Sequence, residues 1–180
     1  AAFNIFAENG KEFITRALVA ADSDVEKVIS ILGYSINNKK WSYDPLRDKI
    51  IEGKTITRFD NLSEIAGHII PQKAVNMIER LFNTGQVYIV KIKKDGEMLG
   101  DFTFIMNKGE SLIREDLVKI YAKQVGLFLD KKRAEEKLKK SQERLLLAVD
   151  AGEHCFWDWN IESGEIYFSP GFYRMLGYEE

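Results

Sequence analysis

Apolar and polar positions alternate every second residue in some stretches of this chain and recur every third or fourth residue in others. Val87-Tyr88-Ile89-Val90-Lys91-Ile92 and Met98-Leu99-Gly100-Asp101-Phe102-Thr103-Phe104-Ile105-Met106 are rich in β-branched and aromatic residues. They flank Asp95-Gly96, which accommodates the positive φ angles of a tight hairpin turn. Gly100 is placed to allow a bulge in the second of these strands. Phe3, Ile5 and Phe6 before Asn9-Gly10, with Phe13, Ile14, Ala17 and Val19 after it, predict an earlier hairpin, and Thr55-Ile56-Thr57-Arg58-Phe59 predicts a single strand. Helical spacing appears between them. Asp22-Ser23 precedes Val25, Val28, Ile29 and Leu32, with Gly33 after. Asp44-Pro45 precedes Leu46, Ile50 and Ile51, closed by Gly53. Pro71 precedes Ala74, Val75, Ile78, Leu81 and Phe82, closed by Gly85. The longest pattern is a charged helix from Ser111 to Ala151. No proline interrupts it, and Gly126 is its one weak position, at about 1 kcal/mol relative to Ala.

Beyond Gly152 the pattern changes. Trp157 and Trp159 alternate with Asp158 and Asn160, as in a half-buried strand. Ser163-Gly164 is a turn, Ser169-Pro170 an N-cap followed by proline at the first helical position, and Gly177 a helix stop. The fold class is therefore α+β: an antiparallel sheet flanked by helices, a long C-terminal connector helix, and the start of a second small domain. The length of 180 residues suits one domain plus part of another. The opening Ala-Ala-Phe-Asn-Ile-Phe lacks methionine and reads as the interior of a longer protein. A net charge of −2 argues against a nucleic-acid surface. The single cysteine, Cys155, excludes an internal disulfide and points to a reducing, cytoplasmic compartment. No apolar run approaches the ~18 residues of a membrane span, so no membrane contact is expected of this segment.

Two family resemblances refine this. Arg144-Leu145-Leu146-Leu147-Ala148, Phe156-Trp157-Asp158-Trp159-Asn160, Ser163-Gly164, Tyr167-Phe168-Ser169-Pro170 and Leu176-Gly177-Tyr178 resemble the opening of a PAS sensor domain, of which about 40 residues are present. Residues 1 to about 133 resemble a GAF domain without its usual first helix. Lys94-Asp95-Gly96-Glu97-Met98-Leu99-Gly100-Asp101-Phe102-Thr103-Phe104 and the helix with Leu117-Val118-Lys119-Ile120-Tyr121-Ala122-Lys123-Gln124-Val125-Gly126-Leu127 carry that likeness. The passage onward to Glu136 is similar to the GAF-to-PAS junction of archaeal, methanogen-type sensor histidine kinases. The resemblance implies a GAF-like domain over residues 1–129, a signalling helix over 130–151 and a PAS start over 152–180. It also implies downstream PAS and output domains in the same protein; a homodimer through the long helix is expected from the heptad pattern described below.

Catalytic chemistry is sparse. His68 and His154 are the only histidines, and neither has a second ligand at helical spacing or the acidic-then-apolar sequel of a kinase phosphoacceptor. The first 129 residues contain no cysteine for a bilin or for methionine sulfoxide reduction. Asn38-Lys39 and Phe59 match part of the cyclic-nucleotide GAF pattern, but no Asp-Glu pair follows. No enzyme activity, metal or cofactor is expected of this segment. Tyr34, Ser35, Trp41, Tyr43, Thr57, Phe59, Tyr88 and Phe102 fall on segments that surround a cavity in the resembled fold. They are the ligand candidates, for a small apolar or aromatic molecule bound without metal; simple core packing is the alternative. In the long helix Leu117, Gln124, Lys131, Leu138 and Leu145 occupy heptad position a, and Ile120, Leu127, Ala134, Ser141 and Ala148 position d. A dimer seam is expected there, with a solvated single helix as the alternative. The expected function is a non-catalytic sensor module. A ligand-free dimerisation scaffold, or the sensor of another output class such as a transcription regulator, competes with it.

Overall fold

The computed structural model describes residues 1–7, 12–42, 49–51, 53–66, 69–151 and 155–177, with the backbone alone for 148–151. The chain divides into two compact units, Ala1–Asp130 and Lys131–Glu180. Strands β1 (Ala2–Phe6), β2 (Glu12–Leu18), β3 (Lys40–Ser42), β4 (Ile56–Phe59), β5 (Thr84–Lys94) and β6 (Glu97–Asn107) form one antiparallel sheet in the order β3-β2-β1-β6-β5-β4. Helices α1 (Asp22–Leu32), α2 (Ser63–Ala66) and α3 (Gln72–Leu81) lie between strands, and α4 (Glu115–Ala151) follows β6. The expected α+β class and long C-terminal helix are present.

The sheet buries both faces. Val87 and Ile89 of β5 face Ile51, Phe59, Leu62, Ala66, Val75 and Ile78, with Val28, Ile31 and Leu32 of α1 packed against them. Val90 and Ile92 face the other way, against Leu99 and Ala122, joined by Val118, Val125 and Leu129 of α4. A strand flanked by two layers reads as an unbroken apolar run, which explains Val87-Tyr88-Ile89-Val90. A third cluster, Phe6, Phe13 and Trp41, fills the β1–β3 end of the first face. Asp95 and Gly96 take φ of 50° and 85°, the conformation their dipeptide favours. The expected bulge is also present: Ile92 faces Gly100 while Lys93 faces Met98, leaving Leu99 as the extra residue. Gly100 meets a further demand, since a Cβ there would sit 2.3 Å from the Asn4 carbonyl oxygen.

Several local expectations change. Asp22 lies inside α1 rather than capping it; the N-cap is Ala21, and Asp22 and Asp24 supply acidic charge to the first turn. Gly33 does end the helix, at φ 77°. Gly85 does not close α3, which ends at Leu81 with Phe82 as its C-cap; Gly85 lies within β5. Helix α4 begins at Glu115 rather than Ser111, after Arg114 at φ 60°. Strand β3 was not expected; three residues at a sheet edge are too few to show a period. The Asn9-Gly10 turn, the Asp44-Pro45 helix start, and His68 and His154 lie outside the described residues.

In the second unit β7 (Trp157–Trp159) pairs with β8 (Ile166–Phe168), followed by α5 (Pro170–Met175). The strand expected to be half-buried is exposed, with Trp157 at 59% and Trp159 at 51%. Ser169 is fully buried but makes no side-chain cap. Its hydroxyl instead accepts from the Phe156 N–H at 3.1 Å, pinning the chain before β7 to the start of α5.

Gly100→Ala is expected to destabilise the first unit by about 2–3 kcal/mol, because the clash is with backbone on a neighbouring strand and no rotamer relieves it. Urea denaturation of the two proteins checks this.

Candidate functional site

The first face of the sheet carries a polar row between two apolar clusters. Lys91 of β5 pairs with Asp101 of β6, Asp101 with Asn4 of β1, and Asn4 with Thr15 of β2. All four are buried, and Asp101 is completely so. Such a row is stable only if its groups find partners, and they do. Trp41 Nε1 donates to Thr15 Oγ1 at 2.9 Å, and Thr15 Oγ1 donates to Asn4 Oδ1 at 2.7 Å. Asn4 Nδ2 donates to Asp101 Oδ1 at 2.8 Å, and Thr103 Oγ1 donates to the same oxygen at 3.1 Å. At the other end the Lys91 ammonium donates to the carbonyl oxygen of Ile51, beyond the strands. Hydrogen bonds thus run from the β3 edge to β6, and Lys91 anchors the segment that precedes β4.

Opposite charges directly across an antiparallel pair attract, and inside a protein that attraction is less screened than in water. That attraction adds to the hydrogen bonds that hold the row together. Among the described residues no group of His, Cys, Asp and Glu could hold a metal ion.

Thr57 lies on the same face. It pairs with Ile89 on β4–β5 and is 6% exposed, yet its hydroxyl has no hydrogen-bond partner among the described residues. Beside the other end of the row, Phe6 stacks on Phe13 at 5.5 Å and Phe13 on Trp41 at 6.3 Å. Tyr34 meets Trp41 edge-on at 6.2 Å, and Lys39 Nζ lies 3.9 Å from the centre of the Tyr34 ring.

The structure divides the ligand candidates. Tyr34 and Trp41 touch each other. Phe59 and Thr57 share their sheet face but lie at its opposite end, in another cluster. Tyr88 and Phe102 belong to the face under α4: Phe102 stacks on Tyr121 at 5.7 Å, and the Tyr88 hydroxyl donates to Gln86 at 2.6 Å. Ser35 is exposed, and Tyr43 lies outside the described residues. Sequence reasoning missed Asn4, Thr15, Lys91, Asp101 and Thr103. Alternation with Phe102 and Phe104 made Asp101 and Thr103 look solvent-facing. The available signal was the opposite charge of Lys91 and Asp101 once both the Asp95-Gly96 turn and the one-residue bulge at Leu99 are set.

The proposed seam residues Leu117, Ile120, Gln124, Leu127, Ala134, Leu138 and Leu145 are all exposed on α4, Leu138 by 61% and Leu145 by 65%; the side chain of Ala148 is not described. Within the first unit they lie on the side of α4 opposite Val118, Ala122, Val125 and Leu129, which pack on the sheet. In the second unit Trp157, Trp159, Ile166, Phe168 and Phe172 line an open apolar hollow of about 370 Å³. No helix among the described residues is long and apolar enough to cross a membrane.

No family model matches the chain. Over 47 residues it is 40% identical to hybrid signal transduction histidine kinase A of Dictyostelium discoideum. The match spans 26% of this chain and 2% of that protein. Among solved structures, a domain of a putative two-component sensor histidine kinase from Sinorhizobium meliloti aligns over 77% of this chain and 83% of its own, with a TM-score of 0.48 and 14% identity.

Two substitutions separate the polar groups that carry the row from the one that does not. Asn4→Ala removes the link between Thr15 and Asp101 and is expected to cost about 3 kcal/mol, read by chemical denaturation. Thr57→Val removes an unsatisfied hydroxyl at constant volume and is expected to leave stability unchanged or raise it by up to about 1 kcal/mol.

Proposed function

We propose that this chain is the non-catalytic input portion of a signal-transduction histidine kinase, with a GAF-like sensor, a signalling helix and the beginning of a PAS domain, in the archaeal, methanogen-type arrangement. The observation that carries this reading is the second apolar stripe of α4. A helix already seated on its own domain has no intramolecular use for Leu117, Ile120, Leu127, Leu138 and Leu145, yet they keep one heptad phase across the boundary between the two units at Asp130. Its expected occupant is the same stripe of a second copy. The similarity to a hybrid signal transduction histidine kinase supports the same class.

In this reading the ligand is sensed on the face that holds Lys91, Asp101, Asn4 and Thr15. The Tyr34–Trp41–Phe13 stack supplies aromatic surface, and Thr57 an unused hydroxyl. A ligand that favours one packing of this face shifts a two-state equilibrium, and α4 carries the difference onward. Gln124, Lys131 and Ser141 weaken the seam, and a weak seam changes register or rotation at small cost. The module works in the cytoplasm and leaves the chemistry to a domain elsewhere in the protein. A second reading, a ligand-free dimerisation scaffold, is favoured by the burial of Trp41, Phe59 and Tyr88, each under 10% exposed at 8%, 4% and 4%.

Sedimentation equilibrium tests the seam. The chain is expected to be dimeric at tens of micromolar. Leu138→Glu combined with Leu145→Glu is expected to be monomeric, with the melting temperature of the first unit unchanged. A monomeric parent chain would contradict the proposal.

A further inference from the structure

Gly126 is the one glycine of α4, and it is buried. A Cβ on it would lie 2.8 Å from the Lys93 carbonyl oxygen and 3.5 Å from Ile92 Cγ2. The nearer contact is backbone, so no rotamer change relieves it. The contact falls where the β5–β6 ladder shifts register between Ile92 and Lys93. Next along the hairpin, Lys94 bonds Asp95, and that bond, followed by the charges of Asp95 and of Asp130 on α4, holds its pKa above the ordinary lysine value. Asp130 is also the last residue of the first unit. On the opposite face, one residue before Ile92, is Lys91, the cation of the polar row.

We propose that Gly126 is the seat at which α4 reads the sheet: the Lys93 carbonyl, bearing on a helix position with no side chain, passes movement of the polar row to the helix just before it leaves the domain. This rests on the relay reading above and assigns its route. Rows on opposite faces of one strand share a backbone. A displacement at Lys91 or Asp101 therefore moves Ile92 and Lys93, and with a clearance this small Gly126 moves with them. Val118, Ala122, Val125 and Leu129 hold the rest of the inward face but meet side chains, which can adjust.

The experiment is Gly126→Ala in the whole chain, read by thermal melting and amide hydrogen exchange. Helix propensity alone favours Ala over Gly, so a glycine without a packing role gives a higher melting temperature. The seat predicts the reverse: a lower melting temperature, with amides 93–98 and 127–130 exchanging about tenfold faster and those of α3 unchanged. Transmission is read with Thr103→Val, which removes the hydroxyl that donates to Asp101; Lys91→Met is a second perturbation of the row. With Gly126 present, either is expected to alter exchange over residues 127–133, and with Gly126→Ala that response is expected to disappear. A higher melting temperature with unchanged exchange overturns the seat. A Thr103→Val or Lys91→Met effect that never reaches residues 127–133, or reaches them equally in both backgrounds, overturns the transmission. Dimerisation is measured separately by sedimentation, so either result is distinct from failure of the input-module reading.

Discussion

The β5–β6 hairpin is buried on both faces, and most of the first unit is arranged by that constraint. Val87, Ile89, Val90 and Ile92 are all fully buried, although neighbours in this run point to opposite layers. Two layers must therefore exist, and the helices supply them: α1 and α3 with the segment around Ile51 on one side, α4 on the other. The bulge at Leu99 and the Asp95-Gly96 turn decide which residue meets which layer. A slip of one residue would bring Lys91 and Asp101 under α4 and turn Val90 toward the polar row.

This geometry brings the polar row and α4 within one strand's thickness of each other. The polar row is an expensive feature for a small core, because every member must be satisfied and removal of one leaves another buried and unpaired. It ties β3, β2, β1 and β6 together through side chains, and Lys91 extends it to the backbone of Ile51. Behind it α4 runs for 37 residues, about 55 Å at the usual rise. Its ion pairs, Glu115 with Lys119, Lys131 and Lys132 with Glu135, and Lys139 with Glu143, are exposed and add little each. They suit a helix whose sheet-packed stripe ends near Leu129 while its second stripe continues to Leu145.

Much of this architecture was legible in the sequence. Asp95-Gly96 gave the central hairpin, Gly100 the bulge, Gly33 a helix stop, and the absence of proline the long helix. Each is a local backbone signal. The features that were not legible depend on which strands become neighbours. Asn4 meets Asp101 across 97 residues of sequence, and nothing near either residue announces the other. Gly126 looked like a weak point because propensity knows nothing of the Lys93 carbonyl. The aromatic candidates looked like one set because composition does not assign faces; strand parity divides them, sending Tyr88 and Phe102 toward α4. Ser169 had the sequence of a cap, yet its hydroxyl serves Phe156.

Disulfide trapping at the heptad seam tests the relay most directly. Ser141 occupies position d, where a parallel, in-register pair brings two Cβ atoms close to the ~4 Å that a disulfide requires. With Cys155→Ser to remove the native thiol, Ser141→Cys is expected to cross-link into a covalent dimer under mild oxidation, while Lys139→Cys, outside the seam, stays monomeric on a denaturing gel. Equal cross-linking at both positions, or none at Ser141→Cys, would contradict a parallel dimer through α4 and with it the helix as the carrier of the signal.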